Sequence, residues 1–344
     1  MKRILLAIAS VFTLFISHAQ ITTDKVINTL KERITLSGYA QAGYTYDDLK
    51  ESTNTFDVKR IIFMAHGQIT KEWSCYFMYN FNSGGNLLEV YTDYQFLPGL
   101  TARLGQFKTM YAMENQMSPS EIELINCGSQ ATNYLAGVDN SDKLYGSSTG
   151  RDMGFMIFGD LFQKRLSYNL AVMNGQGINI KDKNDNKDLV GYITFNPAKI
   201  ISVTGSFIKG KGCAVETSDI NPDIKKDQSY TRNRWSLGSV LKTKPLNLRA
   251  EYLAGKDGNV KSEGFYATTN YHACKNFDII LSYDYLNKNK DMDYKQQNYV
   301  AGIQYWFYPK CRLQAQYTYC DNKKVKTATE FKRRFKCVSK PPIN

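Results

Sequence analysis

Apolar and polar residues trade places at every second position along nearly the whole of this chain, a period that suits a strand with one dry and one wet face. In Ile34–Tyr46 the even positions read Ile, Leu, Gly, Ala, Ala, Tyr, Tyr, and the odd ones Thr, Ser, Tyr, Gln, Gly, Thr. In Leu246–Tyr252 one face is Leu246, Leu248, Ala250 and Tyr252, and the other Asn247, Arg249 and Glu251. Cys311–Tyr319 sets Cys, Leu, Ala, Tyr, Tyr against Arg312, Gln314, Gln316 and Thr318. Fifteen such segments are legible, starting near Ile34, Phe56, Trp73, Asn86, Leu100, Arg151, Leu166, Asp188, Ile200, Tyr230, Leu246, Gly264, Phe277, Tyr294 and Cys311. About ten residues is the length at which a tilted strand crosses the hydrocarbon of a bilayer. The polar second face suits a wet lumen better than the packed interior of a sandwich.

The connections between these segments alternate in length. Lys71-Glu72, Leu97-Pro98-Gly99, Asn196–Lys199, Thr243-Lys244-Pro245 and Pro309-Lys310 are tight, whereas Asp47–Thr55, Phe107–Gly150, Gly175–Lys187, Gly210–Gln228 and Asn287–Lys295 are long and polar. Short turns at one end and long loops at the other are the layout of a transmembrane antiparallel β-barrel. The N-terminus agrees: Lys2 and Arg3, an apolar run from Ile4 to Ile16, and Ser17-His18-Ala19 before Gln20 read as a secretory signal peptide over residues 1–19. Residues 20–33 then form a short periplasmic lead-in, 34–320 the barrel, and 321–344 a basic C-terminal segment.

Composition narrows the chemistry. The net charge of +12 holds two positive charges in the leader and seven in Asn322–Asn344, which leaves the body only about three and argues against nucleic acid as a partner. Seven scattered cysteines without a Cys-x-x-Cys pair indicate neither a disulfide framework nor a zinc site. His66 and His272 stand alone in separate strand-like segments. No Gly-x-Ser-x-Gly elbow is present, so a barrel-embedded hydrolase is the weaker alternative, as is a soluble secreted carbohydrate-binding β-sandwich. No cofactor, metal or catalytic residue is expected, and the reading is a channel, not an enzyme.

Three stretches resemble the phosphate-selective porin O and P family. They are Phe56-Asp57-Val58-Lys59-Arg60 through Gly67 with Trp73; Leu104-Gly105-Gln106-Phe107-Lys108 with Glu114-Asn115; and Gly150-Arg151-Asp152-Met153-Gly154 with Tyr168-Asn169 and Asn174-Gly175. Leu248–Tyr252 and Gly264-Phe265-Tyr266 also fit. The resemblance implies an outer-membrane porin of sixteen strands, commonly a homotrimer, with one long loop folded into the lumen as a constriction. Phe107–Gly150, at 44 residues, is the candidate loop. It carries Lys108, Glu114, Glu121, Glu123, Asp139, Asp142 and Lys143, more acid than base. That departs from a phosphate filter, which needs rings of Arg or Lys.

Alternation points Arg103, Arg232, Arg234, Arg249 and Arg312 at the lumen, together with Glu89, Asp93, Glu251, Asp278 and Asp284. Five charges against five predict weak ion selectivity for a passive channel that serves small hydrophilic solutes or ions, phosphate and other anions included. The expected partners are outer-membrane lipid and the solutes themselves. The C-terminal run breaks the pattern, because Arg333 shares a face with Phe331 and Phe335 and Pro341-Pro342 argues against a ladder beyond it. The expectation is a closing strand absent or altered, by truncation or a shifted reading frame.

Overall fold

The structure, a computed structural model, describes residues 32–47, 53–82, 84–323, 329–340 and 342–343. The leader and all of the lead-in except Glu32 and Arg33 lie outside the described residues. Fifteen strands follow in an antiparallel meander: β1 (Ile34–Asp47), β2 (Thr53–Gln68), β3 (Trp73–Asn80), β4 (Asn86–Leu97), β5 (Leu100–Lys108), β6 (Arg151–Leu161), β7 (Leu166–Met173), β8 (Asp188–Ala198), β9 (Ile201–Cys213), β10 (Ser229–Lys242), β11 (Leu246–Asp257), β12 (Val260–Cys274), β13 (Phe277–Asn287), β14 (Lys295–Tyr308) and β15 (Cys311–Lys323). Each pairs with the next in sequence.

Of the two outcomes expected for the C-terminal segment, a closing strand absent or altered, the first does not hold. Thr329–Lys340 forms a further strand, β16, whose backbone pairs with β15 from Arg312↔Lys340 to Lys323↔Thr329 and with β1 from Ala42↔Ser339 to Asp47↔Arg334. Pro342 and Ile343 continue the pairing against Tyr39 and Gly38. Pro342 thus pairs in a ladder, although the sequence argues against one at Pro341-Pro342; Pro341 lies outside the described residues.

A second difference concerns β12, which begins at Val260 and not near Gly264. The β11–β12 connection is only Gly258-Asn259, with Gly258 at φ +60. A two-residue hairpin needs that left-handed conformation, which glycine adopts without steric cost.

The side chains are distributed inside out. Arg232, Arg234 and Arg312 are among the largest fully buried side chains, while Leu104, Phe155, Leu237 and Leu281 are exposed. In β10 the buried face is Tyr230, Arg232, Arg234, Ser236 and the exposed face Trp235 and Leu237. No water-soluble sandwich places guanidinium groups in its interior and leucines on its surface; a barrel in lipid does. Leu281, outward and central on β13, is 56% exposed. Leu281→Arg should destabilise the folded barrel by about 2–4 kcal/mol, the midplane cost of a lipid-facing arginine, and denaturant titration in lipid vesicles measures it.

Candidate functional site

The β5–β6 connection turns back across the barrel interior instead of staying over the rim. Its base is a backbone bond from Thr109 N to Gly150 O (2.9 Å), doubled by Asn115 Nδ2, which donates to both Thr109 O and Gly150 O (3.0 Å each). Gly150 has φ +67, and a Cβ there would fall 2.0 Å from Asn115 Oδ1. Beyond the base lie two short helices, α1 (Met113–Gln116) and α2 (Gln130–Leu135).

One side of this segment is apolar and packs on an apolar patch of the inner wall. Phe107, Tyr111, Ala112, Met113, Ala131, Tyr134 and Leu135 meet Met156, Ala171, Met173, Val190, Ile208 and Leu253 in one cluster. Burial pushes the Tyr111, Tyr134 and Tyr145 phenols above their ordinary range.

The rest is held by buried polar latches. Arg249 pairs with Glu114 (3.2 Å) and Glu123 (2.9 Å). The other oxygen of Glu114 accepts from Ser129 N (2.7 Å) and Thr132 Oγ1 (3.1 Å), at the start of α2. Met113 N donates to both oxygens of Glu251 (2.9 Å), which also accepts from the Tyr266 hydroxyl. Arg234 bridges Asp142 (2.7 Å) and Asp257 (2.5 Å) and donates to Leu135 O (2.6 Å). Asp284 accepts from Gln130 N (2.7 Å). Arg312 donates to Ile122 O (2.7 Å) and Ser120 O (3.2 Å), and Gln316 Oε1 accepts from Ile125 N (2.9 Å). On the far side the segment reaches β1 and β2: Arg60 donates to Cys127 Sγ (3.1 Å) and Gln41 Nε2 to Pro119 O (3.4 Å).

The remaining charges predicted from sequence fall as follows. Arg103 forms a two-pronged pair with Asp93 (2.8 Å) and lies 3.6 Å from the Tyr91 ring centre. Glu89 binds Arg151 (2.8 Å), and Arg232 binds Asp188 (2.6 Å) with the Tyr145 ring 4.0 Å away. Asp278 is bound by His272 Nδ1 (2.6 Å), Trp306 Nε1 (2.8 Å) and Gln304. Lys108 donates to Met117 O (2.7 Å); Glu121 is exposed, Lys143 pairs with Glu216 (3.4 Å), and Asp139 lines the open space described next.

Two cavities adjoin the segment. The larger, ≈ 690 Å³, lies toward the long-loop end between β2 and β13–β15, and its lining includes Lys59, Arg60, Asn126, Gln130, Asp139, Asp284 and Lys288. Burial lowers the Lys288 ammonium pKa, against the opposing effect of Asp139 and Asp142. The smaller, ≈ 120 Å³, lies between the segment and β1–β5, beside Tyr39, Met78, Lys108, Met117 and Arg151. Arg60 lines both.

Alternation did not find Arg60, because a bulge at Lys59 lets Gln41 pair with Arg60 and Ala42 with Val58, which reverses the parity of β2. Asp188 and Asp257 were missed because each stands at a strand end, where alternation carries no weight.

Fold and interior together define a porin-type barrel, an outer-membrane diffusion channel. The model of the family described as phosphate-selective porin O and P matches residues 31–200. Over that stretch the chain is a member of that family. Solved structures with the same fold include Pseudomonas putida OprB at high pH, with TM-score 0.69, 9% identity, and coverage of 93% of this chain and 96% of that one. An anion-selective porin from Comamonas acidovorans has TM-score 0.67 and 13% identity, covering 90% and 99%. The outer membrane channel DcaP of Acinetobacter baumannii has TM-score 0.64 and 13% identity, covering 90% and 97%. No curated protein sequence matches the chain.

Removing one partner from a buried ion pair strands the other and costs roughly 3–5 kcal/mol. Arg249→Gln should therefore loosen the segment around Glu114 and Glu123. Limited proteolysis of folded protein should show new cuts within 107–150, with the barrel itself intact.

Proposed function

We propose that the channel passes small hydrophilic solutes passively, with a mild preference for anions set where the inward segment narrows the lumen. The carrying observation is how the inner charges are paired. Arg103, Arg151, Arg232, Arg234 and Arg249 each hold a carboxylate, and Arg312 is engaged by carbonyl oxygens and Gln304. Arg60 and Lys108, which share the smaller cavity, bond only neutral acceptors: Gln41 Oε1 and Cys127 Sγ for one, Met117 O for the other. Unmatched cations at a constriction favour anion entry. On this reading two spare positive charges, Arg60 and Lys108, tip the five-against-five balance toward anions.

Tight phosphate binding is a different matter. It calls for several converging donors, and the arginines that could supply them are already paired, Arg234, Arg249 and Arg312 with the segment and Arg103, Arg151 and Arg232 with carboxylates of the wall. His272 is bonded through Nδ1 to Asp278 and through Nε2 to Asn247 (3.2 Å), a setting that fixes the ring, and we read it as structural. The leader over residues 1–19 supports export with cleavage. A homotrimer is supported by likeness to trimeric porins such as OmpT of Vibrio cholerae in its trimer form, with TM-score 0.63 and 11% identity, covering 90% of this chain and 100% of that one.

Reversal potentials across a potassium chloride gradient in planar bilayers test the anion preference. Chloride should be favoured over potassium in the wild type, and R60Q/K108Q should bring the ratio to unity or below. A cation-selective wild type, or a ratio untouched by the substitutions, overturns the proposal. Deletion of Ser118–Ser148 should raise single-channel conductance; an unchanged value in a folded barrel would deny the segment its role as constriction. Phosphate at micromolar concentration should leave chloride current unblocked.

A further inference from the structure

The outer face of β9–β12 carries a row of lysines. Asn233 on β10 lies opposite Lys209 of β9 on one side and Lys256 of β11 on the other, and Lys256 lies opposite Lys261 of β12. All three lysines are exposed, and none forms an ion pair among the described residues. Lys256 and Lys261 are like charges directly opposed across two strands, which destabilises a sheet slightly, and an anion held against the row relieves that repulsion. One step down each strand the row becomes Phe207, Trp235, Ala254 and Glu263, and the next contains Leu237, Tyr252 and Phe265. The one acid here is already engaged, Glu263 accepting from Lys290 Nζ (2.5 Å) and the Tyr252 hydroxyl (2.9 Å). The lysines, Asn233, Phe207, Trp235, Tyr252, Ala254 and Glu263 frame an outward-facing groove of ≈ 460 Å³.

Position along the strands gives the groove its height in the membrane. The lysines stand at the end that carries the long connections of the barrel, Lys256 and Lys261 flanking the one two-residue turn among them, and that end faces outward in such barrels. Phe207, Trp235 and Tyr252 occupy the level of an interfacial aromatic girdle. Two residues along a strand tilted by about 40° raise the lysines above the girdle by about 5 Å. That is the level of the phosphates of the outer leaflet. Sideways, Lys209 and Lys261 are three strand spacings apart, about 14 Å, wide enough for two phosphates at opposite ends of a disaccharide.

We propose that this groove is a binding site for a bisphosphorylated disaccharide lipid of the outer leaflet. Its phosphates rest on Lys209, Lys256 and Lys261, and an acyl chain lies against Phe207, Trp235 and Tyr252. Native mass spectrometry of the full chain in detergent tests it, with three probes: a bisphosphorylated hexa-acyl disaccharide lipid, its dephosphorylated counterpart, and inorganic phosphate. The wild type should retain the bisphosphorylated lipid in preference to the dephosphorylated one. At about a factor of five per lysine near a charged surface, K209Q/K256Q/K261Q should weaken retention on the order of a hundredfold. Inorganic phosphate at the same concentration should not displace the lipid. Equal retention by the triple variant overturns the proposal, as does displacement by inorganic phosphate, which would make this a site for the free anion. A changed trimer-to-monomer ratio with lipid retention unaltered would give the face to a second copy of the chain and equally overturn it. Heat modifiability on cold detergent gels reports folding, and K261Q alone, expected to be several-fold weaker, provides the comparison if the triple variant folds poorly.

Discussion

A backbone amide in hydrocarbon has no water to bond, so each strand must find both neighbours within the chain. β1 through β15 meet that requirement in simple sequence order, and the backbone of β16 stands between β15 and β1. From this constraint follows the inversion of the side chains. Lipid takes the face that holds Leu104, Phe155 and Leu281, and the strand arginines such as Arg232, Arg234 and Arg312 are turned inward, where they must be hydrated or matched.

Inside, matching is shared between wall carboxylates, which hold Arg103, Arg151 and Arg232, and the β5–β6 segment, which holds Arg234, Arg249 and Arg312. A guanidinium withdrawn from water is costly unless its charge and its N–H groups are all answered. Arg234 illustrates the solution, with two carboxylates and a backbone carbonyl around one group. The segment and the wall therefore depend on each other. The wall supplies charges that fix the segment, and the segment supplies the partners that make those charges tolerable. The apolar contact of Tyr111, Met113 and Leu135 with Met156, Val190 and Leu253 holds the opposite side. Arg60 and Lys108, which bond only neutral acceptors, line the smaller of the two cavities beside the segment.

Strand positions were legible because a sheet between lipid and water writes its period plainly. Ten of the fifteen starts read from sequence coincide with the observed ones, and four more fall within three residues. The fifteenth, β12, failed because its two-residue turn offered no loop to see. The interior was less legible. Alternation indicates which way Arg249 points, but its partners Glu114 and Glu123 lie more than a hundred residues away on an irregular segment. Arg60 was hidden by a bulge, which shifts the parity that such reading relies on. The short motifs also proved to have local duties. Gln106 donates to Leu87 O and Leu88 O and accepts from Asn179 N, and Asp152 accepts from Gly175 N, so both tie neighbouring backbone together.

The clasp at Thr109, Asn115 and Gly150 has a consequence for how such a channel changes over generations. Because the two ends of the segment are tied to each other, the enclosed stretch leaves and re-enters the wall at one point, and the loop-closure term grows only slowly with the length between. The plug is thus modular: residues between the ties, other than Glu114, Glu123 and Asp142 that answer the wall arginines, can be lengthened, shortened or exchanged without shifting the register of β5 against β6. Diversification of what passes through can proceed inside a casing whose blueprint stays fixed.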